Sequence, residues 1–261
     1  MNRIQYGNKE QAMSTRVAVV TGGTGTIGTE ICKHLAASGH KVVALCLPGT
    51  PDCVPDVWEA ARKAEGYNDA KVYGCDVTNF EETAAVFAKI EQEVGPIDVL
   101  VNAAGITRDS ALRKMSPEQW HQVLRANLDS VFNTSRQVIG GMMDRGYGRI
   151  VNISSVNGQK GQFGQANYAA SKAGIHGFTM SVAREGARKG VTCNIVSPGY
   201  IESPMIMAVP EEHRGKIMAE IPVGRFGKPS EIGRLVAFLA AEDSGFITGA
   251  DISINGGQQM G

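Results

Sequence analysis

The feature that most constrains this chain is a series of short, almost wholly apolar runs separated by longer stretches of helical period. The runs are Val17 to Val20, Lys41 to Leu47, Lys71 to Cys75, Val99 to Ala103, Arg149 to Ser154, Val191 to Val196 and Asp251 to Ile254. Most do not alternate apolar with polar residues, and a strand that reads apolar at nearly every position is buried on both faces. The cover comes from between them, where helical patterns occupy Gly28 to Ser38, Asp56 to Glu65, Phe80 to Val94, Ser116 to Arg145, Tyr168 to Lys189 and Pro229 to Ala240. Strand and helix in alternation predict an α/β fold, a doubly wound parallel sheet. No linker or break in composition divides residues 14–261, so one domain is expected, and residues 1–13, the first twelve of them polar and patternless, read as a flexible N-terminal extension.

Charge and cysteine usage exclude several functions. The 261 residues carry 26 Lys plus Arg against 26 Asp plus Glu, with no strongly basic stretch, so a nucleic-acid partner held through phosphates is not expected. The longest apolar runs, Val42 to Leu47 and Leu235 to Ala241, are far shorter than the roughly 18 residues of a membrane span. Five scattered cysteines, spaced neither as a metal knuckle nor as a redox pair, suggest free thiols, no metal site and a reducing, cytoplasmic setting. The composition departs from the usual in its 32 glycines among 261 residues, above the typical share of about 7%.

Several of those glycines fall in one place. The first apolar run leads into Thr21-Gly22-Gly23-Thr24-Gly25-Thr26-Ile27-Gly28 and directly on into a helix. Turns, helix caps and close packing also use glycine, but a glycine-rich turn between the first strand and first helix of such a sheet lets backbone N–H groups and a helix N-terminus face a pyrophosphate, as in a Rossmann-type fold. Asn102-Ala103-Ala104-Gly105 ends the fourth run and falls on the same sheet edge, which suggests a flat ligand lying across both turns. Tyr168 and Lys172 stand one helical turn apart. An ammonium beside a phenol lowers the phenol pKa from about 10 and makes it a proton donor near neutrality. Ser155, at the end of the fifth run, has a hydroxyl able to bond a substrate carbonyl. Asn127 lies within a helical stretch where asparagine has poor propensity; it is either a solvent-facing residue or a kink that holds a water.

Together, Thr21 to Gly28, Asn102 to Gly105, Asn127, Ser155, Tyr168-x-x-x-Lys172 and Ser197-Pro198-Gly199 resemble the short-chain dehydrogenase/reductase family, in its order and spacing over residues 14–261. Gly105 to Asp109, Asn152 to Gln165, Pro198 to Ile201 and Asn255 to Gly257 are similar, more narrowly, to acetoacetyl-CoA reductases of polyhydroxybutyrate synthesis. The resemblance implies hydride transfer from NADH or NADPH to a 3-oxoacyl-CoA thioester, giving an (R)-3-hydroxyacyl product, in a homotetramer. It implies that Ser155 polarises the carbonyl, Tyr168 gives the proton, Lys172 bonds the nicotinamide ribose and Asn127 positions a water. It further implies cofactor contacts from Gly22, Gly23, Thr24, Thr26, Ile27, Gly28, Leu47, Asp52, Asp76, Val77, Asn102, Ala103, Ala104, Gly105, Tyr168, Lys172, Pro198, Gly199, Ile201 and Ser203. Substrate contacts fall on Asp109, Lys114, Gln162, Phe163, Gln165 and Tyr200.

Two positions depart from the family. Thr26 stands where the family has the central glycine of its turn; a branched side chain there either crowds the phosphates or requires a shifted backbone, so tolerable but weakened cofactor binding is expected. After the second run, Leu45-Cys46-Leu47-Pro48-Gly49-Thr50-Pro51-Asp52 contains no cation for a 2′-phosphate. The expected cofactor is therefore NADH, or both dinucleotides. Rival readings are a 3-oxoacyl-carrier-protein reductase, with Arg108, Arg113 and Lys114 able to serve either thioester, and a catalytically silent dinucleotide-sensing scaffold.

Overall fold

A computed structural model of the chain describes residues 15–260. The predicted extension at residues 1–13 lies outside them. Seven strands form one parallel sheet in the order β3-β2-β1-β4-β5-β6-β7: β1 Val17–Thr21, β2 Lys41–Cys46, β3 Lys71–Gly74, β4 Ile97–Asn102, β5 Gly148–Ile153, β6 Val191–Pro198 and β7 Asp251–Ile254. The chain steps outward from β1 to β3, then returns to lay β4 on the other side of β1. This reversal opens a crevice at the carboxyl edge of the sheet.

The apolar runs divide residue by residue between two cores, because successive strand side chains point to opposite faces. Ala18 and Val20 of β1 pack with Ile31 and Leu35 of α1 (Thr26–Ala37) and Ile232, Val236 and Leu239 of α10 (Pro229–Ala240). Val17 and Val19 face the other way, onto Phe87 and Ile90 of α3 (Phe80–Glu93) and Val138 and Met142 of α5 (Ser130–Arg145). β1 is fully buried along its length, whereas the edge strands β3 and β7 are partly exposed. The remaining helices are α2 Pro55–Ala64, α4 Pro117–Leu124, α6 Val156–Lys160, α7 Ala166–Gly186, α8 Pro204–Met207 and α9 Glu211–Ala219.

Local chemistry fixes several ends. Ser116 and Gln119 close a capping box with Pro117 at the first position of α4, and Asn79 caps α3 through the Glu82 N–H. The long stretch Ser116 to Arg145 is not one regular helix. A π-helical turn at Arg125–Asp129 separates α4 from α5, and Asn127 sits in it. Beneath the crevice, polar side chains satisfy one another inside the sheet. Asn102 donates to Asn152 at 2.8 Å and accepts from Thr134 at 2.7 Å, while Asn152 donates to Thr179 at 2.9 Å.

The cysteine reading needs one correction. Cys46 and Cys53, seven residues apart, form a disulfide with their Cα atoms 5.3 Å apart. Their spacing matches no familiar redox motif; the return of the chain from β2 toward α2 brings them together. Cys32, Cys75 and Cys193 are free and buried. Among the described residues, no helix is long and apolar enough to cross a membrane.

Candidate active site

The glycine turn leaves β1 and is packed so tightly that side chains do not fit. Gly22 takes the left-handed conformation (φ +61°), and a Cβ on it would come within 3.0 Å of the Ala104 Cα. A Cβ on Gly23 would lie 2.7 Å from the Ala44 Cβ, and one on Gly28 would overlap the Gly22 carbonyl oxygen. The turn is pulled toward β4 by Thr21, whose hydroxyl accepts from the N–H groups of Ala103 and Ala104, each at 3.0 Å. Both predicted small-residue turns therefore meet on one edge.

At the start of α1 no side chain caps the helix and no acidic residue stands in its first turn. Its leading N–H groups are left free to receive an anion. The Thr24 hydroxyl is buried without a partner on the same turn. This cradle and donor set suit the pyrophosphate of a dinucleotide. Thr26 is the first residue of α1, with an exposed side chain and an ordinary negative φ, and it lines neither of the two cavities described next.

The two cavities share Gly105 and Ile106 and run along the carboxyl edge. One, of about 260 Å³, is lined by Gly22, Thr24, Leu47, Asp52, Asp76, Val77 and Ala104, with no lysine or arginine in its walls. The other, of about 550 Å³, is lined by Ile27, Ala103, Ser155, Tyr168, Lys172, Pro198, Gly199, Ile201 and Ser203, together with Gln165 and Tyr200. Asn102 is buried beneath this edge in the polar network. Ser203 caps α8 by accepting from the Ile206 N–H.

Ser155, Tyr168 and Lys172 meet in the larger cavity. Ser155 caps α6 through the Asn157 N–H at 3.1 Å and is nearly buried. Lys172 is buried, donates to the Ile153 carbonyl at 2.7 Å, and holds its Nζ 5.7 Å from the centroid of the Tyr168 ring. Burial pushes the lysine down to about 8. The expected lowering of the Tyr168 pKa is not found: burial raises it, and the nearby Ser155 hydroxyl only partly opposes the rise. Removal of water around the phenol is the largest cause, and the Asp109 carboxylate adds to it.

Asn127 is not solvent-facing. It is wholly buried, accepts from the Ile106 N–H at 2.8 Å, and donates to the Ile106 carbonyl at 3.0 Å and to Ser171 at 3.1 Å. A Cβ on Gly105 would lie 3.2 Å from the Asn127 amide oxygen and 3.5 Å from the Lys172 Nζ, so these three groups share one corner.

The predicted substrate residues separate into two groups. Gln165 and Tyr200 line the cavity, and Asp109 is tied to its rim by the Gln165 amide at 2.9 Å. Lys114, at the end of a 3-10 turn, and Gln162 and Phe163, on a loop, stand exposed outside, Phe163 with 89% of its surface free. Sequence reasoning missed Asn157. It lines the larger cavity, its amide donates to Gln165, and its own oxygen is buried and unpartnered. Its place two residues after Ser155 was the available signal.

A family model described as short chain dehydrogenase matches residues 16–214. The acetoacetyl-CoA reductase of Allochromatium vinosum is 53% identical over 245 residues, 94% of this chain and 99% of its own. That of Cupriavidus necator is 53% identical over 249 residues, 95% of this chain and 100% of its own. The 3-oxoacyl-(acyl-carrier-protein) reductase of Vibrio cholerae is 43% identical over 247 residues, 94% of this chain and 98% of its own. With matches that run nearly end to end over a sheet whose reversal point carries the glycine cradle, the chain belongs to the short-chain dehydrogenase/reductase family.

Proposed function

We propose that this chain is an NAD(P)-dependent oxidoreductase that reduces acetoacetyl-CoA to (R)-3-hydroxybutyryl-CoA, the step that feeds polyhydroxybutyrate synthesis. The observation that carries the reading is the convergence of Ser155, Tyr168 and Lys172 in a cavity continuous with the glycine cradle. It is supported by relatives at 53% identity named acetoacetyl-CoA reductase. A bound dinucleotide supplies the hydride. The Ser155 hydroxyl donates to the 3-oxo oxygen and holds the carbonyl in place. Tyr168, kept protonated by its burial, gives its phenolic proton to that oxygen. Lys172 holds the ribose and stabilises the phenolate left behind, while Asn127 fixes the Ile106 backbone beside it. Gln165, Tyr200 and Arg108 line the mouth through which the thioester enters, and Asp109, Lys114, Gln162 and Phe163 form its outer approach.

The smaller cavity supports NADH, or both cofactors, over NADPH alone. Asp52 and Asp76 stand in its walls, and no cation there would answer a 2′-phosphate. The assembly we propose is a homotetramer, in keeping with half-exposed Phe132 and Met180 on α5 and α7 and with exposed Phe238 on α10 and Phe246 after it.

Rates on acetoacetyl-CoA and on acetoacetyl-acyl-carrier protein test the substrate. A clear advantage for the carrier substrate would move the reading to the fatty-acid reductase. Comparing catalytic efficiencies with NADH and NADPH tests the cofactor, and an advantage for NADPH would refute the preference. Tyr168→Phe is expected to lower kcat by about 10²- to 10⁴-fold; undiminished activity would remove Tyr168 as the proton donor, and a wild-type chain that binds dinucleotide but reduces neither thioester would favour the silent scaffold.

A further inference from the structure

The bridge between Cys46 and Cys53 ties down the loop that walls the smaller cavity. Cys46 ends β2 and is buried; Cys53 is partly buried just before α2. Between them, Leu47, Thr50 and Asp52 line the cavity beside Cys46 itself. Asp52 reaches across toward the glycine turn, its carboxylate 3.7 Å from where a Cβ on Gly25 would stand. The hydrogen bonds of residues 47–53 are local. Thr50 donates to the Leu47 carbonyl through its N–H and its hydroxyl, and the Cys53 N–H donates to the Thr50 carbonyl at 3.0 Å. Pro48 rests over Gly74. Among the described residues, no hydrogen bond joins Thr50–Cys53 to the sheet, so the disulfide is the direct tie that holds Asp52's limb against β2.

The other thiols are poor competitors for oxidation. Cys32, Cys75 and Cys193 are buried and burial pushes their thiols up, Cys75 to about 11 and Cys193 to about 12. Little thiolate forms at any of them near neutrality. The pair at 46 and 53 is thus singled out both by proximity and by the inertness of the rest.

We infer that Cys46–Cys53 is a reversible redox modification site that sets how firmly the adenosine end of a nicotinamide dinucleotide is held, by fixing or releasing the loop that carries Asp52. The inference rests on reading the smaller cavity as the adenosine site. Exchange with a low-molecular-weight disulfide closes the bridge: one cysteine thiolate attacks the disulfide and releases one small thiol, and the second attacks the protein sulfur of the resulting mixed disulfide and releases the other. The protein dithiol is oxidised by two electrons, the small disulfide is reduced by two, and the two protons end on the departing thiols. Excess small thiol runs the same steps backward.

The full chain is treated with glutathione disulfide or with dithiothreitol, the bridge is scored by intact mass after alkylation, and NADH and NADPH are titrated by fluorescence, which needs no turnover. Reduction is expected to weaken binding of the better dinucleotide by about five-fold, as when an untethered loop spends roughly a fifth of its time in the competent arrangement. Cys53→Ser is expected to bind as the reduced protein does under both treatments. Equal dissociation constants for the oxidised and reduced wild-type protein overturn the inference, as does failure of the bridge to form, and neither result requires the variant to fold. Tighter NADPH binding in both forms would remove the NADH preference but leave the redox effect to be judged on NADPH. Binding of neither dinucleotide in either form would remove both.

Discussion

Lys172 carries its charge at a cost, and that cost gives a pH signature. Its ammonium is buried, with one carbonyl partner, and its pKa falls from 10.5 to about 8. Between those values the unfolded chain binds a proton that the folded chain has released, so stability rises with pH through this window; below it the full cost of burying the charge is felt. Lys172→Met is therefore expected to make the ligand-free protein more stable at pH 7, by up to roughly 3 kcal/mol, with the gain shrinking toward pH 10. Urea unfolding of both proteins at the two pH values checks this, and a gain that grows with pH would contradict it. Thr26 belongs to the same scale. Its exposed side chain lines neither cavity, so Thr26→Gly is expected to change the dinucleotide dissociation constant by less than about two-fold, in place of the tightening expected from sequence.

The helical stretch Ser116 to Arg145 shows what an element can hide. Its periodicity was legible, but the π-helical turn at Arg125–Asp129 was not, because one extra residue in a turn barely disturbs an apolar pattern. The poor helix propensity of Asn127 was the only hint. The turn carries Asn127 inward, where its amide satisfies both backbone groups of Ile106. Asn127→Ala leaves these groups unpaired and is expected to cost about 1–3 kcal/mol in a denaturant melt. The glycine turn makes the opposite case, since its role was readable and the structure adds the contacts. Gly28→Ala places a methyl on the Gly22 carbonyl and beside the Gly23 Cα, and is expected to cost about 1–3 kcal/mol and weaken dinucleotide binding. Thermal melts and fluorescence titration measure the two effects; unchanged values in both would remove the packing argument.

At the scale of the whole molecule, exposed apolar side chains mark where copies would meet. Phe246 is fully exposed just ahead of β7, and Phe238 on α10 is 52% exposed. The proposed tetramer predicts a solution mass near four times the 27.7 kDa chain, and Phe238→Asp with Phe246→Asp is expected to halve it. Sedimentation decides between them: a monomeric wild-type chain would sink the proposal, and a double variant that stays tetrameric would move the interface elsewhere.

The strand runs, the burial of the central strands on both faces, the glycine turn and the order of Asn127, Ser155, Tyr168 and Lys172 were all legible in the sequence. The strand runs and the glycine turn are local patterns, set by side-chain period or by residues few positions apart, whereas the order of the four side chains was legible through resemblance to the family. Where the structure departed from expectation, the cause was long-range. The direction of the Tyr168 shift depended on how much water the folded cavity removes. Phe163 and Lys114 lie outside the cavity because loops from separate strands set its rim. Cys46 and Cys53 meet only because the end of β2 and the approach to α2 return to the same place. Sequence by itself determined the fold class and the residues at the sheet edge, since hydrophobic period and backbone sterics act locally. Tertiary structure alone decided which of those residues touch, how far each is desolvated and what restrains the loop at Asp52, because burial and close approach are properties of the packed chain.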